Sequence, residues 1–461
     1  IQLIDLAYAS GSLEVVNQWS LMQFDFPPDP VLLEKFQPEN TVPTGLEIGW
    51  DRLYLGIPRL RAGVPATLAY PDWSWHTAGR GDINCTGLIS VYRVRADRCN
   101  RLWVLDSGVV TSIDDFRRVC PPKILIFDMS TDRLVRSVYF PRELLRPSSL
   151  LTNLVLDDTR SSSTRLANNC DDVFAYISDT VAPGIIVYDG RRDNAWRVTH
   201  ASMYPDPDLG EYDIGGERFT LMDGVVGLAH SPAQGLLYYQ PLATDRVFSV
   251  STAVLAAGPP AEGTDLPVNL VGRKSSQGLG IAVDPRDDTI IFSPISETAI
   301  AAWNPLTNGH KYVFLMVLNF YRTCSQNIAV SYDSDCRLNH GQTLFTSLPL
   351  IYIIYILFWK ISNTSCVFPR VLAQDPEKLQ FCAEVRWAER DNGAVWALST
   401  RFHKYFKRTV SKHEVKYILV TMCSHLRGSS LVMDCFSIYC LATLGRHCLL
   451  VGCLHAGHCV A

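Results

Sequence analysis

The sequence is poor in charge of either sign: charged residues make up 19% of its 461 positions, and 42 basic against 46 acidic side chains leave a formal charge of -4. Without a basic excess there is no electrostatic footprint for nucleic acid or an anionic membrane surface, and neither is expected as a partner. Long apolar runs are scarce too. The strongest, Leu348 to Trp359, falls short of the about 18–20 residues a membrane span requires. No Gly-rich phosphate loop opens a helix, and no Gly-x-Ser-x-Gly elbow or His-Glu-x-x-His pair occurs. Cys448, Cys453, His455, His458 and Cys459 lack paired C-x-x-C spacing, and His76, His200 and His230 stand alone. No metal or other cofactor is therefore expected. What remains is a chain with 47% hydrophobic and 10% aromatic residues, enough to build a large globular core.

Cysteine is unevenly spread. Of 14 in all, only Cys85, Cys99, Cys120 and Cys170 precede residue 311. Four cysteines in a turn-rich, Trp/Tyr-rich module fit two disulfides formed in an oxidising compartment, and Asn84-Cys85-Thr86 is a glycosylation sequon beside one of them. Secretion is expected, with residues 1–14 as a signal-peptide remnant in which Ala7-Tyr8-Ala9 resembles a cleavage site.

Short apolar segments ended by Asp, Gly, Ser or Pro recur in pairs. Leu102 to Gly108 precedes Ile124 to Asp128, Phe174 to Asp179 precedes Gly184 to Asp189, Leu236 to Pro241 precedes Val247 to Val250, and Ile290 to Pro294 precedes Ala299 to Asn304. Each reads as strand, turn, strand, rich in β-branched and aromatic residues and too short for a helix. A segment small at its start leads each pair and a more polar one follows, so the unit is four strands, a to d. This repeat predicts an all-β fold, a six-bladed β-propeller of four-stranded blades, with units at about 42–75, 86–146, 150–200, 219–273, from 277, and from 379. Val15 to Phe24 would close the ring as an N-terminal strand, leaving no free sheet edge.

Ile89 to Arg93, Cys99 to Gly108, Phe219 to Gly224, Leu237 to Ala243 and Ala302 to Asn304 closely resemble the Yellow / major royal jelly protein family of insects. The resemblance covers roughly residues 15–308 and resumes at 370–415. It implies a secreted six-bladed propeller, in agreement with the repeat. The family includes melanin-pathway proteins, some credited with dopachrome conversion, salivary binders of biogenic amines, and nutritional proteins, so membership implies the fold more narrowly than the activity.

Two stretches break the pattern. The propeller is expected to comprise 15–310 and 370–415. Residues 311–369 and 416–461 each open with Lys-Tyr, whose codons can spell a splice donor, and both are read as intron-derived; the second is a non-family tail. Asn363-Thr364-Ser365 falls in the first of them, and Arg80-Gly81-Asp82 is a chance adhesion tripeptide in a Gly-rich loop.

Strand geometry orders the cysteines. Cys85 precedes strand a and Cys120 strand c of one blade, at the same end; Cys99 and Cys170 precede strands b of neighbouring blades, at the opposite end. Of three connectivities, Cys85–Cys120 and Cys99–Cys170 are expected. The same geometry places a channel mouth at the starts of strands a and the ends of strands b. Asp106, Asp179, Phe219, Asp223, Tyr239, Gln277, Ser296, Gln380 and Phe381 occupy such positions. Carboxylates among aromatic rings suit a small aromatic amine or a catechol, by charge pairing and stacking. Asp after a strand is also an ordinary cap of backbone amides, and Tyr239 and Phe219 could equally be core. The expected function is ligand binding by a secreted monomer in pigmentation, cuticle or egg-shell processes. The alternatives are a dopachrome isomerase using Asp106, Asp179 or Asp223 as base, and a structural or nutritional protein.

Overall fold

The computed structural model describes residues 13–28, 30–64, 70–75, 83–159, 163–164, 167–307 and 370–422, all within one compact unit.

Among the described residues there are five antiparallel four-stranded blades. Blade I runs Val91–Ala96, Arg101–Asp106, Lys123–Asp128 and Arg133–Tyr139. Blade II runs Leu151–Asp157, Phe174–Asp179, Gly184–Asp189 and Asn194–Val198, and blade III Val225–Ser231, Leu236–Pro241, Arg246–Ser251 and Val268–Arg273. Blade IV comprises Ile281–Asp284, Thr289–Phe292, Ala299–Trp303 and Arg370–Gln374. Blade V comprises Cys382–Ala388, Ala394–Ser399, Tyr417–Met422 and, as its outer strand, Glu14–Trp19 from the start of the chain. The middle strands are apolar on both faces because each blade is sandwiched by its neighbours; Phe174–Asp179 and Gly184–Asp189 are buried throughout.

The expected count of six four-stranded blades is corrected to five. The unit at 42–75 forms only a hairpin, Gly45–Ile48 with Leu53–Gly56, among the described residues. Pro58, Pro65 and Pro71 follow it, and a residue without an amide hydrogen cannot donate to a ladder. The hairpin nevertheless sits in the ring. Tyr54 shares a core with Val91 and Leu102 of blade I, while Leu46 and Ile48 pack on Trp396, Leu398 and Leu419 of blade V. Further cores join blades I to II, II to III, III to IV and IV to V, so the apolar contacts make a closed circuit.

A second correction concerns residue 415, where the propeller was expected to end. Tyr417–Met422 is strand c of blade V, paired with Ala394–Ser399 on one side and Glu14–Trp19 on the other. It alternates weakly but is almost wholly buried, a run that reads as aperiodic when both faces are covered. In blade IV, Ala299–Trp303 pairs directly with Arg370–Gln374, so residues 308–369 interrupt a single blade.

Candidate functional site

The disulfides join Cys85 to Cys120 and Cys99 to Cys170, the pairing that strand-end geometry selects. Gly108, at φ +69°, turns the chain beside the first: a Cβ there would lie 2.1 Å from the Cys120 carbonyl oxygen. Asn84 is exposed, and its Oδ1 accepts from Thr86 N at 3.0 Å and Thr86 Oγ1 at 2.7 Å.

Below the mouth, the inner strands hold a buried polar plug. Arg95 donates to Glu384 at 3.1 Å and to Asn153 Oδ1 at 3.2 Å; Arg93 pairs with the same Glu384 and donates to the Thr44 carbonyl at 2.6 Å. Asn153 Nδ2 reaches the Val226 carbonyl at 2.7 Å, and Arg386 pairs with Glu47 at 2.8 Å. Burial pushes both Arg93 and Arg95 down from the usual guanidinium range, which makes Glu384 their necessary counter-ion.

The mouth residues divide sharply. Asp106, fully buried, accepts from Ile89 N, Ser90 N and Gly108 N, each at 2.9 Å, and from Lys123 Nζ at 2.8 Å. Asp179 accepts from Leu150 N at 2.9 Å and Ala182 N at 3.2 Å and pairs with Arg197 at 2.9 Å. Both are clips tying the end of strand b to the start of strand a, with their hydrogen-bonding capacity spent inside the fold. Tyr239 lies in the core between blades II and III, its hydroxyl 2.6 Å from Ser202 Oγ. Gln277 Nε2 donates to the carbonyls of Leu209 at 2.9 Å and Glu211 at 2.7 Å, and so pins the loop above it. Gln380 Nε2 donates to the Pro376 carbonyl at 2.7 Å, and the Ser296 amide donates to Ser276 Oγ at 3.2 Å.

Phe219, Phe381 and Asp223 behave differently. Phe219 lies on a two-stranded hairpin, Glu211–Ile214 with Glu217–Thr220, turned by Gly215 and Gly216 at φ +61° and +86°. Two consecutive positive φ angles are what a tight hairpin needs, and glycine supplies them without strain. Its register sets Tyr212 directly opposite Phe219, and the rings stack at 4.8 Å and 19°. Phe219 also meets Phe406 at 5.7 Å and Phe381 at 6.3 Å, and Phe381 meets Phe402 at 5.0 Å. Phe402 and Phe406 belong to a short helix, Phe402–Lys407, held by Lys404 to Glu414 at 2.8 Å, Lys407 to Glu217 at 3.3 Å and Arg408 to Asp114 at 2.8 Å.

Asp223 is half-buried just before strand a of blade III, and its carboxylate has no hydrogen-bond or ion-pair partner among the described residues. Burial alone raises its pKa to about 6. Burial raises the Tyr92 and Tyr212 phenols, and the nearby Asp223 charge adds to both shifts. His403, 1% exposed, is packed 6.5 Å from Phe219, has no partner for Nδ1, and is pushed down to about 4 by burial. A lone carboxylate beside an aromatic cluster can hold a cation or take a proton.

Tyr212, Phe402, His403 and Phe406 escaped the sequence reading. The Gly-Gly turn between Tyr212 and Phe219 was the signal for the first. The aromatic spacing from Phe402 to Phe406, just beyond the last b strand, was the signal for the rest.

Elsewhere, His200 caps the turn Ala201–Met203 and His230 lies 3.8 Å from Asp157. His76, Arg80 to Asp82, Asn363, Leu348 to Trp359 and the Cys/His group from Cys448 to Cys459 lie outside the described residues, as do residues 1–12. Among the described residues no helix is long and apolar enough to cross a membrane.

Comparison with known proteins places the chain. It is 30% identical over 271 residues to the dopaminechrome tautomerase of Drosophila melanogaster, covering 54% of this chain and 57% of that protein. It is 30% identical over 334 residues to the protein yellow of Drosophila yakuba, covering 66% of this chain and 59% of that protein. The chain thus spans less than two thirds of the length of either relative. Among solved structures, a nidogen/laminin complex superposes at a TM-score of 0.32 with 10% identity over 58% of this chain and 73% of that one. The family model for the major royal jelly protein matches residues 89–319, half of the chain. Together with the blades and the ordered motifs they carry, this match makes the chain a member of the major royal jelly protein family.

Proposed function

We propose that the chain is a secreted glycoprotein that binds a small aromatic ligand, a biogenic amine or a catechol intermediate of melanin synthesis, at the channel mouth. Its setting would be pigmentation, cuticle or egg-shell hardening. The observation that carries this reading is Asp223: the only mouth carboxylate from the sequence reading that has no partner among the described residues, set beside the stacked Tyr212 and Phe219. Ionised above about pH 6, it supplies a charge partner for an ammonium group, backed by the buried Tyr212 and Phe219 rings. Two disulfides and the exposed sequon support an oxidising, secretory origin. The chain is read as a monomer.

A second reading is favoured by the dopaminechrome tautomerase among the relatives. Asp223, with a pKa raised to about 6, suits a general base that removes a ring-side proton and returns it elsewhere on the same ligand, a net isomerisation. Binding ranks first, because among the described residues the titratable groups beside Asp223, the Tyr92 and Tyr212 phenols, are pushed by burial further from neutral pH.

Calorimetry with serotonin, dopamine and octopamine, run beside a dopachrome decay assay, separates the readings. Saturable 1:1 binding without turnover supports the first. Catalysed decay lost in Asp223→Asn establishes the second. Neither binding nor turnover leaves a structural or nutritional role.

A further inference from the structure

A pocket on the described residues shares no lining residue with the mouth aromatics. The link from blade II to the hairpin folds into two short turns, Ala201–Met203 and Pro207–Leu209, capped by His200 and Asp206. Between this link and the start of strand Arg246–Ser251 is an open pocket of about 250 Å³ lined by Ser202, Tyr204, Pro205, Asp206, Arg246 and Phe248, among others. That volume suits a one-ring molecule.

The walls are fixed. Phe248 stacks on the core residue Tyr239 at 5.7 Å and 27°, and the Tyr239 hydroxyl meets Ser202 Oγ at 2.6 Å. Ser202 Oγ is also 2.7 Å from His200 Nδ1, which already accepts the Ser202 amide at 3.1 Å. With its hydroxyl held from both sides, Ser202 is a wall and not a free nucleophile, so the pocket is built for binding. Tyr204, at 54% exposure, lines the same pocket as the anchored Phe248 and offers it a second ring.

The polar groups set the ligand's charge. Asp206 is used up: one oxygen accepts the Asp208 amide at 3.1 Å and the other accepts Arg246 at 2.8 Å. Arg246 is not. Its Nε is buried without a hydrogen bond, and its second terminal nitrogen makes none among the described residues. The nearest competitor is Asp245, whose Oδ1 stands 3.9 Å from that Nε, beyond hydrogen-bonding distance, while its other oxygen serves Arg273 at 3.0 Å. A planar guanidinium with donors to spare, next to two aromatic rings, matches a planar anion on a ring.

We propose that this pocket binds a small aromatic carboxylate, its ring between Tyr204 and Phe248 and its carboxylate on Arg246. The charge preference is opposite to that of the mouth, so the two sites are separable by ligand as well as by mutation.

The test is ligand-observed saturation-transfer NMR on the full chain, titrating benzoate and 4-hydroxyphenylacetate with tyramine as the cationic control. Both carboxylates should bind at millimolar concentration or better. Arg246→Gln should weaken them by about tenfold or more, the scale of one charge-assisted hydrogen bond, and Tyr204→Ala, at an exposed site that does not support the core, should weaken them as well. Asp223→Asn should leave them unchanged. Absence of carboxylate binding, binding indifferent to both pocket substitutions, or binding lost in Asp223→Asn would each overturn the proposal. None of these outcomes depends on whether the mouth binds amines.

Discussion

Lys274 Nζ lies 2.7 Å from Gln240 Oε1, and both side chains are buried. Blade III thus holds a buried cation against a neutral amide, whereas Lys123 meets Asp106 in blade I and Arg197 meets Asp179 in blade II. Burial lowers the Lys274 pKa to about 7, with Asp245 and Glu297 only partly opposing it. From about pH 7 to the ordinary lysine range the unfolded chain holds a proton that the folded chain does not, so stability rises with pH across that window. Gln240→Glu should supply the missing charge and flatten this rise. Chemical denaturation at several pH values from 6 to 10 checks it; an unchanged slope would mean that Lys274 is not the group responsible.

The plug below the mouth should be the fold's most sensitive polar feature. Glu384→Gln leaves two buried guanidinium groups without their anion, and breaking such a set costs about 3–5 kcal/mol. Arg218→Ala, on an ion pair with Asp213 at the exposed tip of the mouth hairpin, should change stability little, because water screens the pair. Urea denaturation of the two variants side by side gives the comparison, and similar small losses would show that the plug is dispensable.

These pairs also mark how far the sequence could be read. The blades were legible because a middle strand covered on both faces becomes a continuous β-branched run, as in Gly184–Asp189. The same rule hid Tyr417–Met422, a middle strand paired with Ala394–Ser399 and Glu14–Trp19 and almost wholly buried. The two-stranded hairpin at 45–56 went unrecognised because its apolar residues match those of a full blade and only the prolines after it differ. At the mouth, Asp106 and Asp179 could not be told from Asp223 by position. What separates them is the partner each finds, Lys123 and Arg197 lying 17 and 18 residues further along the chain.

Asn84 should carry an N-linked glycan when the chain is made in a secretory host. Its exposed side chain is already turned onto Thr86, in a loop tied to the fold by Cys85–Cys120. Intact-mass analysis before and after glycosidase should show the loss of one glycan, abolished by Thr86→Ala. An unmodified Asn84 in secreted material would contradict this.

Transcript sequencing tests the reading of the interrupted blade. Ala299–Trp303 and Arg370–Gln374 are already paired, so a messenger joining them through a short loop should encode a propeller at least as stable as this chain. For the second stretch, the paired strand Tyr417–Met422 requires any junction to fall after Met422 or to replace it with an equivalent strand. A mature messenger carrying residues 311–369 in frame would defeat the intron reading.

Asp223 is proposed as an unspent carboxylate kept for a ligand. Because burial raises its pKa, the folded state holds a proton between the usual Asp range and about pH 6 that the unfolded state has lost, so its stability contribution falls as pH rises through that window. Asp223→Asn should therefore raise the melting temperature at pH 7.5 and leave it nearly unchanged at pH 3.5, the reverse of Asp106→Asn, which strands Lys123 in the core. The most direct measurement is the affinity for dopamine from pH 5 to 8. Affinity should climb through about pH 6 as Asp223 ionises and be weak and flat in Asp223→Asn. Affinity that is independent of pH and equal in the two proteins would contradict this.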